Sequence, residues 1–402
     1  MTDIFSDEMR RNPYPIYDRL RGACPVFRVP QPFDAWLILD YEGVKRALSD
    51  HDAFSSAVPA PRNWFLFMDP PRHTKLRGLI SKAFTPRVVA NLEPRIRALS
   101  RGLLDRAAGR GEMDLAEEYA VPLPMRVIAE MIGIPGEDWP RFKRWSDGIL
   151  KISYTRSGGA EAAEAAKEFL AVTAEMGPYL TDMIGRRQTE PKDDLLTRLV
   201  AAEVDGERLT HEEILGFFQL LVVGGQETTA NLINNAVLCL VEHPDELARL
   251  RAAPGLLPAA IEEVLRYRSP LQWMLRTPRR DVVMHGQTMR PGEVVLPVIG
   301  AANRDPRQFP DPGRFDIARD PNPHIAFGHG VHACLGAPLA RLEAHIALTD
   351  IFERLKGIRR ASDDPWEPRN ALHVHGPARL PIRFEPEAAA GSAEREGEWP
   401  AS

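Results

Sequence analysis

The stretch Phe327-Gly-His-Gly-Val-His-Ala-Cys-Leu-Gly336, FGHGVHACLG, sets one cysteine among three glycines and two histidines, in a chain of 402 residues that holds only two other cysteines. The run that follows, APLARLEAHIALTDIFERL, carries apolar residues at three- and four-residue spacing with Pro338 in its first turn, which predicts a helix starting just after Cys334. The sulfur is then expected at a helix N-terminus, where unpaired backbone N–H groups and the helix dipole favour thiolate.

Three roles for Cys334 follow. A buried, inert thiol is the default for any single cysteine. A nucleophile needs a histidine base and an orienting Asn or Asp; His332 is two residues away, but no known nucleophile motif surrounds the pair. A zinc ligand needs more Cys or His partners than the loop supplies, whereas thiolate ligation of a heme iron needs one cysteine, a loop that admits a planar macrocycle, and basic groups for two propionates.

The rest of the chain limits the context. Acidic residues outnumber basic ones, 56 to 51, so a net charge of -5 gives no global attraction to nucleic acid or an anionic membrane. The N-terminus, MTDIFSDEMRRNP, has no apolar signal core, and the most apolar run, ILGFFQLLVVGG, is shorter than the ~20 residues of a bilayer span. Cys24, Cys239 and Cys334 are odd in number and far apart, which suits a reducing, cytoplasmic setting. No repeat or internal linker appears, so residues 1–384 read as one domain and EPEAAAGSAEREGEWPAS, 385–402, as a flexible tail.

Helical periodicity dominates from Asp69 onward, while AWLILD, VVMHG and EVVLPVIGAA read as strands, which predicts a mainly α fold with minor β structure. Thr210 and Glu213 form a capping-box signature, and the pattern then runs to His243, a helix of ~50 Å at 1.5 Å per residue. At its centre lies GGQETT, Gly224 to Thr229. Each glycine costs about 1 kcal/mol against alanine there, so either the helix kinks with Glu227 in solvent, or a ligand approaches the backbone beside an acid and an alcohol. Glu263 and Arg266, three apart, share a helix face; alone they read as an ordinary surface pair.

Together these residues resemble the cytochrome P450 superfamily. Phe327, Gly328, Gly330, His332, Cys334 and Gly336 look like its heme-binding signature, Glu263 and Arg266 like its Glu-x-x-Arg pair, GGQET like its oxygen-activating helix segment, and Ala302 to Arg319 like its meander. The resemblance runs from about Pro13 to about Phe384 and is closest to soluble bacterial members. It implies the P450 fold, with heme b between the long central helix and the cysteine-loop helix, and Cys334 as the proximal iron ligand. It also implies His73, Arg77, Arg276 and His332 as propionate contacts, with Phe327, Gly328, Gly336 and Gly224 against the macrocycle. Glu263 and Arg266 become a buried structural pair joined to the meander through Arg314. Gly224 and Gly225 leave room for O2 and substrate where the helix opens locally, and Glu227 and Thr228 deliver protons.

The same resemblance assigns the substrate pocket to the loop 55–71, residues 152–161, the face of Val223 and Gly224, and the segments 271–275 and 297–300. Trp64, Phe65, Phe67, Val223, Trp273, Met274 and Val298 then line it, with Arg62 and Gln272 as its polar groups. A mainly apolar small molecule is the expected substrate. The implied activity is monooxygenation, hydroxylation or epoxidation, by a monomer. NAD(P)H-derived electrons would arrive through a ferredoxin reductase and a [2Fe-2S] ferredoxin that docks on Arg72, Lys75, Arg77 and Lys82. Peroxide-driven oxidation, oxidative coupling and a non-catalytic heme sensor are the alternatives.

Overall fold

The central helix His211–Glu242 is fixed at its start by the expected capping box: the Thr210 hydroxyl accepts from the Glu213 N–H at 3.2 Å, and the Glu213 carboxylate accepts from the Thr210 N–H at 2.9 Å. A computed structural model describes this helix within residues 6–30, 34–57, 64–151, 159–369, 371 and 373–387. Every residue from Thr229 to Leu240 is buried, because the helices Pro122–Ile132, Trp139–Leu150 and Ala337–Arg354 pack around it. The helix is continuous through Gly224-Gly225.

The fold is mainly α with minor β structure, as expected. Val26–Val29 pairs antiparallel with Ala35–Ile38, which pairs in parallel with Val294–Pro297. The strand expected over Glu293 to Ala302 stops at Pro297, and Ile299–Ala302 forms a helical turn instead. Gly300 permits that turn to press on the neighbouring segment, since a Cβ there would collide with the Gln272 amide. No described helix is long and apolar enough to cross a membrane. Glu385 and Glu387, expected in the tail, are tied to the body: their N–H groups donate to the Lys356 and Ala108 carbonyls at 2.8 and 2.9 Å. Residues 388–402 lie outside the described residues.

Candidate active site

The cysteine loop is shaped by two glycines with left-handed backbone, Gly328 at φ +75° and Gly330 at φ +73°. A Cβ on Gly330 would lie 2.8 Å from Ser49 Cα, so the loop packs there without room for a side chain. The Cys334 N–H donates to the Phe327 carbonyl at 2.7 Å, closing the loop before the helix Ala337–Arg354 begins. Cys334 lines a cavity of about 1040 Å³ and is exposed there. Burial pushes the Cys334 thiol up, against the pull of the Gly336 and Ala337 N–H groups and of Arg77. Desolvation therefore outweighs the helix N-terminus that was expected to favour thiolate; a metal cation at the sulfur would reverse that balance.

Beside Cys334 the fold gathers two arginines and two histidines from three segments, of which Arg77, Arg276 and His332 line the cavity. His73 and Arg77 stand one turn apart on the helix Arg72–Ala83, Arg276 follows the segment 271–275, and His332 precedes the cysteine. The His73 and His332 rings lie 3.9 Å apart, and all four ring nitrogens are buried without a partner among the described residues. Burial lowers His73 to about 4, assisted by Arg77, and His332 to about 3, assisted by His73 and Arg276. Burial likewise lowers Arg276 to about 10. No described carboxylate forms an ion pair with Arg77 or Arg276; Asp69 is engaged by Arg279, Ser55 and Ser56. A cluster of this kind fits an anion carrying two carboxylates, as heme does beside a single thiolate ligand.

Across the cavity stands the centre of the long helix. A Cβ on Gly224 would meet nothing within 4 Å, whereas one on Gly225 would lie 2.7 Å from Ile128 Cδ1. Both glycines line the cavity; Gly224 leaves open space there, and Gly225 also permits the close packing of Ile128 from the helix Pro122–Ile132. Gln226 turns away to bond Ser146. Thr228 faces the cavity, and its hydroxyl donates back to the Gly224 carbonyl at 2.5 Å. Glu227 also lines the cavity and is buried rather than solvated, and burial pushes its carboxyl up while Arg369 pulls it back.

Trp64, Phe65, Phe67, Val223, Trp273 and Met274 line the cavity, together with Phe169, Leu170, Leu215 and Leu220, which were not singled out in the sequence. Val298 does not: it packs in a core cluster with Leu37, Leu296 and Ala301. Gln272, expected to orient a ligand, is instead spent on structure, its amide accepting from Tyr17 Oη at 3.2 Å and donating to the Ser269 carbonyl at 2.7 Å. Arg62 and residues 152–158 lie outside the described residues, as do the side chains of 159–161. A polar tie that the sequence gave no sign of crosses the cavity wall: Trp64 Nε1 donates to Gln219 Oε1 at 3.0 Å, and Gln219 Nε2 to Thr173 Oγ1 at 3.4 Å.

Two expectations on the cysteine side change. Arg314 meets the Glu263–Arg266 pair only through its carbonyl, and the side chain that reaches Glu263 is Arg319, at 3.2 Å. The cationic face is largely engaged within the molecule: Arg72 pairs with Glu213, Lys75 with Glu207, and Lys82 donates to the Glu203 carbonyl at 2.7 Å, while Arg77 faces the cavity.

The family description "Cytochrome P450" matches residues 161–253 and 255–375. The chain is 41% identical over 403 residues to "Cytochrome P450 107B1" of Saccharopolyspora erythraea, covering 94% of this chain and 96% of that protein. It is 41% identical over 399 residues to "Cytochrome P450 monooxygenase PikC" of Streptomyces venezuelae, covering 94% and 93%. The crystal structure of CYP109E1 from Bacillus megaterium in complex with corticosterone superposes with a TM-score of 0.87 at 37% identity, covering 94% of this chain and 99% of that one. Similarity of this depth, along nearly the whole length and through the cavity just described, makes the chain a member of the cytochrome P450 family, a monooxygenase that works with heme b, O2 and supplied electrons.

Proposed function

We propose that the chain is a cytoplasmic monooxygenase that hydroxylates or epoxidises a mainly apolar small organic molecule, with electrons from NAD(P)H delivered by a ferredoxin reductase and a [2Fe-2S] ferredoxin. In this reading Cys334 would ligate the heme iron, and His73, Arg77, Arg276 and His332 would hold the propionates. Heme bound there supplies O2 activation under the electron donation of the thiolate. Thr228 holds a proton at its Oγ1 beside the space that Gly224 opens, and Glu227 exchanges protons with it. The aromatic and aliphatic side chains position the substrate and exclude water.

The observation that carries the substrate class is the cavity lining. Trp64, Phe65, Phe67, Phe169, Leu170, Leu215, Val223 and Met274 supply its apolar surface, and Arg77, Glu212, Glu227, Arg276 and Glu343 are its charged groups among the described residues. The corticosterone in the CYP109E1 structure is a ligand of that kind. Three unpaired cysteines support a reducing compartment.

The test is reconstitution with an acidic [2Fe-2S] ferredoxin, its reductase and NAD(P)H, scoring one atom from labelled O2 in the product of any compound that perturbs the ferric heme spectrum. A steroid-sized apolar substrate is expected to be oxygenated. Binding only of charged compounds would overturn the substrate class. Cys334→Ala should abolish the strongly red-shifted Soret band of the ferrous carbonyl complex, and its retention would remove the ligand assignment.

A further inference from the structure

Beyond Glu227 the central helix carries a row of amides where an apolar face would be ordinary. Asn231, Asn234 and Asn235 are fully buried. Asn231 lies one turn after Glu227 on the same side of the helix, and Asn235 one turn further. Asn231 Oδ1 accepts from Arg369 Nε at 3.0 Å, and Asn235 Nδ2 donates to the carbonyls of Arg268 and His375 at 3.0 and 2.9 Å. Asn231 Nδ2, both polar atoms of Asn234 and Asn235 Oδ1 have no partner among the described residues. A dry, unpaired amide atom costs about 1–3 kcal/mol, and the net stability of a domain is about 5–15 kcal/mol. A group of such atoms in one row is therefore a set of water-binding positions, each polar enough to hold an ordered molecule.

Arg369 bonds the member of this row nearest Glu227. It is half-buried, its N–H donates to the Gly376 carbonyl at 3.2 Å, and Gly376 is pressed so closely on the helix that a Cβ would lie 2.6 Å from Asn231 Oδ1. The segment that carries Arg369 is thus held against Asn231 by backbone contact. No described carboxylate forms an ion pair with the guanidinium, which pulls the Glu227 carboxyl down against the effect of its burial.

We propose that Arg369 and Asn231 are positioning residues for proton entry: water bound at the Asn231 amide links the Arg369 side of the protein to Glu227, and the guanidinium stabilises the carboxylate that accepts the proton. The proton originates in bulk water, passes along hydrogen-bonded water to the Glu227 carboxylate, and leaves Glu227 toward Thr228, so that Glu227 returns to the carboxylate after each transfer. This inference rests on the reading of Glu227 as a proton carrier.

The test is an infrared titration of the Glu227 carboxyl stretch in the heme-loaded ferric enzyme, identified by its disappearance in Glu227→Gln. In Arg369→Gln the midpoint should rise by about one pH unit or more, while Arg369→Lys, which keeps the charge, should stay close to the parent. Turnover should fall in parallel in Arg369→Gln, with KM little changed and partial recovery in Arg369→Lys. Asn231→Leu, similar in size, should reduce turnover and enlarge the solvent deuterium isotope effect about twofold or more, and it carries the test if Arg369→Gln does not load heme. An unmoved carboxyl midpoint in Arg369→Gln, or an unchanged isotope effect in Asn231→Leu, with Glu227 still essential, overturns the part given to Arg369 and Asn231. Full turnover in Glu227→Gln overturns the relay itself.

Discussion

Glu263 and Arg266 meet through two parallel hydrogen bonds of 2.7 Å, with neither side chain exposed. The remaining Arg266 donors reach the carbonyls of Asn303, Pro312 and Arg314 at 2.9–3.1 Å, so all five guanidinium N–H groups are used. Glu263 in turn accepts from the Asp316 N–H, Arg319 Nε and Asn322 Nδ2 at 3.0–3.3 Å. The pair is the point around which the chain from Asn303 to Asn322 is folded on its way to the cysteine loop.

Removing one partner leaves buried charge without compensation. Glu263→Gln is expected to cost about 3–5 kcal/mol, and Arg266→Lys to fail similarly because an ammonium has three donors, not five. Urea denaturation and heme content of the purified variants check this. Parent-like values in both would mean that the pair does not hold the meander.

What was legible in the sequence was local. The capping box at Thr210 and Glu213 specifies itself within a four-residue window, and the glycines at 328 and 330 announce backbone that other residues rarely adopt. Arg319 could not be told from Arg314, because which of two arginines in one turn-rich segment reaches Glu263 depends on the path of the chain. Val298 misled because it follows a strand and precedes a helical turn, so strand alternation no longer reports its direction. Glu343 and the asparagines at 231, 234 and 235 gave no signal, since polar residues on a helix are ordinarily solvated and only tertiary packing buries these.

Glu343, on the cysteine-loop helix, has its Oε2 buried without a partner, and burial alone pushes its carboxyl up to about 8. The folded protein keeps this proton up to about that pH, while the unfolded chain releases it near 4.5. The stability it contributes is therefore complete below the unfolded value and is lost as pH rises toward 8. Glu343→Gln should flatten that decline, gaining on the order of 1–4 kcal/mol relative to the parent between pH 6 and 8. Unfolding free energies of both proteins at the two pH values provide the measurement; parallel curves would mean that water or a neighbour satisfies the carboxylate.

Carrier docking has a specific competitor. Glu207 pairs with Lys75 and lies 4.0 Å from Arg72, so the hairpin that bears it occupies the face proposed for an acidic ferredoxin. Glu207→Gln should speed electron transfer and steepen its salt dependence, and reversing Arg72 and Lys82 to Glu should slow it. Stopped-flow reduction across a salt series measures both, and identical kinetics in all variants would place the docking face elsewhere.

The Thr228 hydroxyl has one proton to donate, and here it goes to the Gly224 carbonyl. That bond ties Oγ1 to Gly224, the one of the two glycines in GGQETT where a Cβ would meet nothing within 4 Å. For Thr228 to donate into the cavity it need only rotate its hydroxyl, because the Oγ1 position is already set by the helix. Thr228→Ala removes the donor without disturbing the backbone, so NAD(P)H and O2 should still be consumed while hydrogen peroxide replaces much of the product. Thr228→Ser keeps the donor but loses the methyl that restricts χ1, and should fall between the two. Thr229, buried and about 100° further round the helix, should tolerate Thr229→Ser with coupling unchanged. The ratio of product formed to nicotinamide consumed distinguishes these outcomes. If Thr228→Ala couples as the parent does, the substrate or bound water supplies the proton, and the bond to Gly224 is the whole of the Thr228 role.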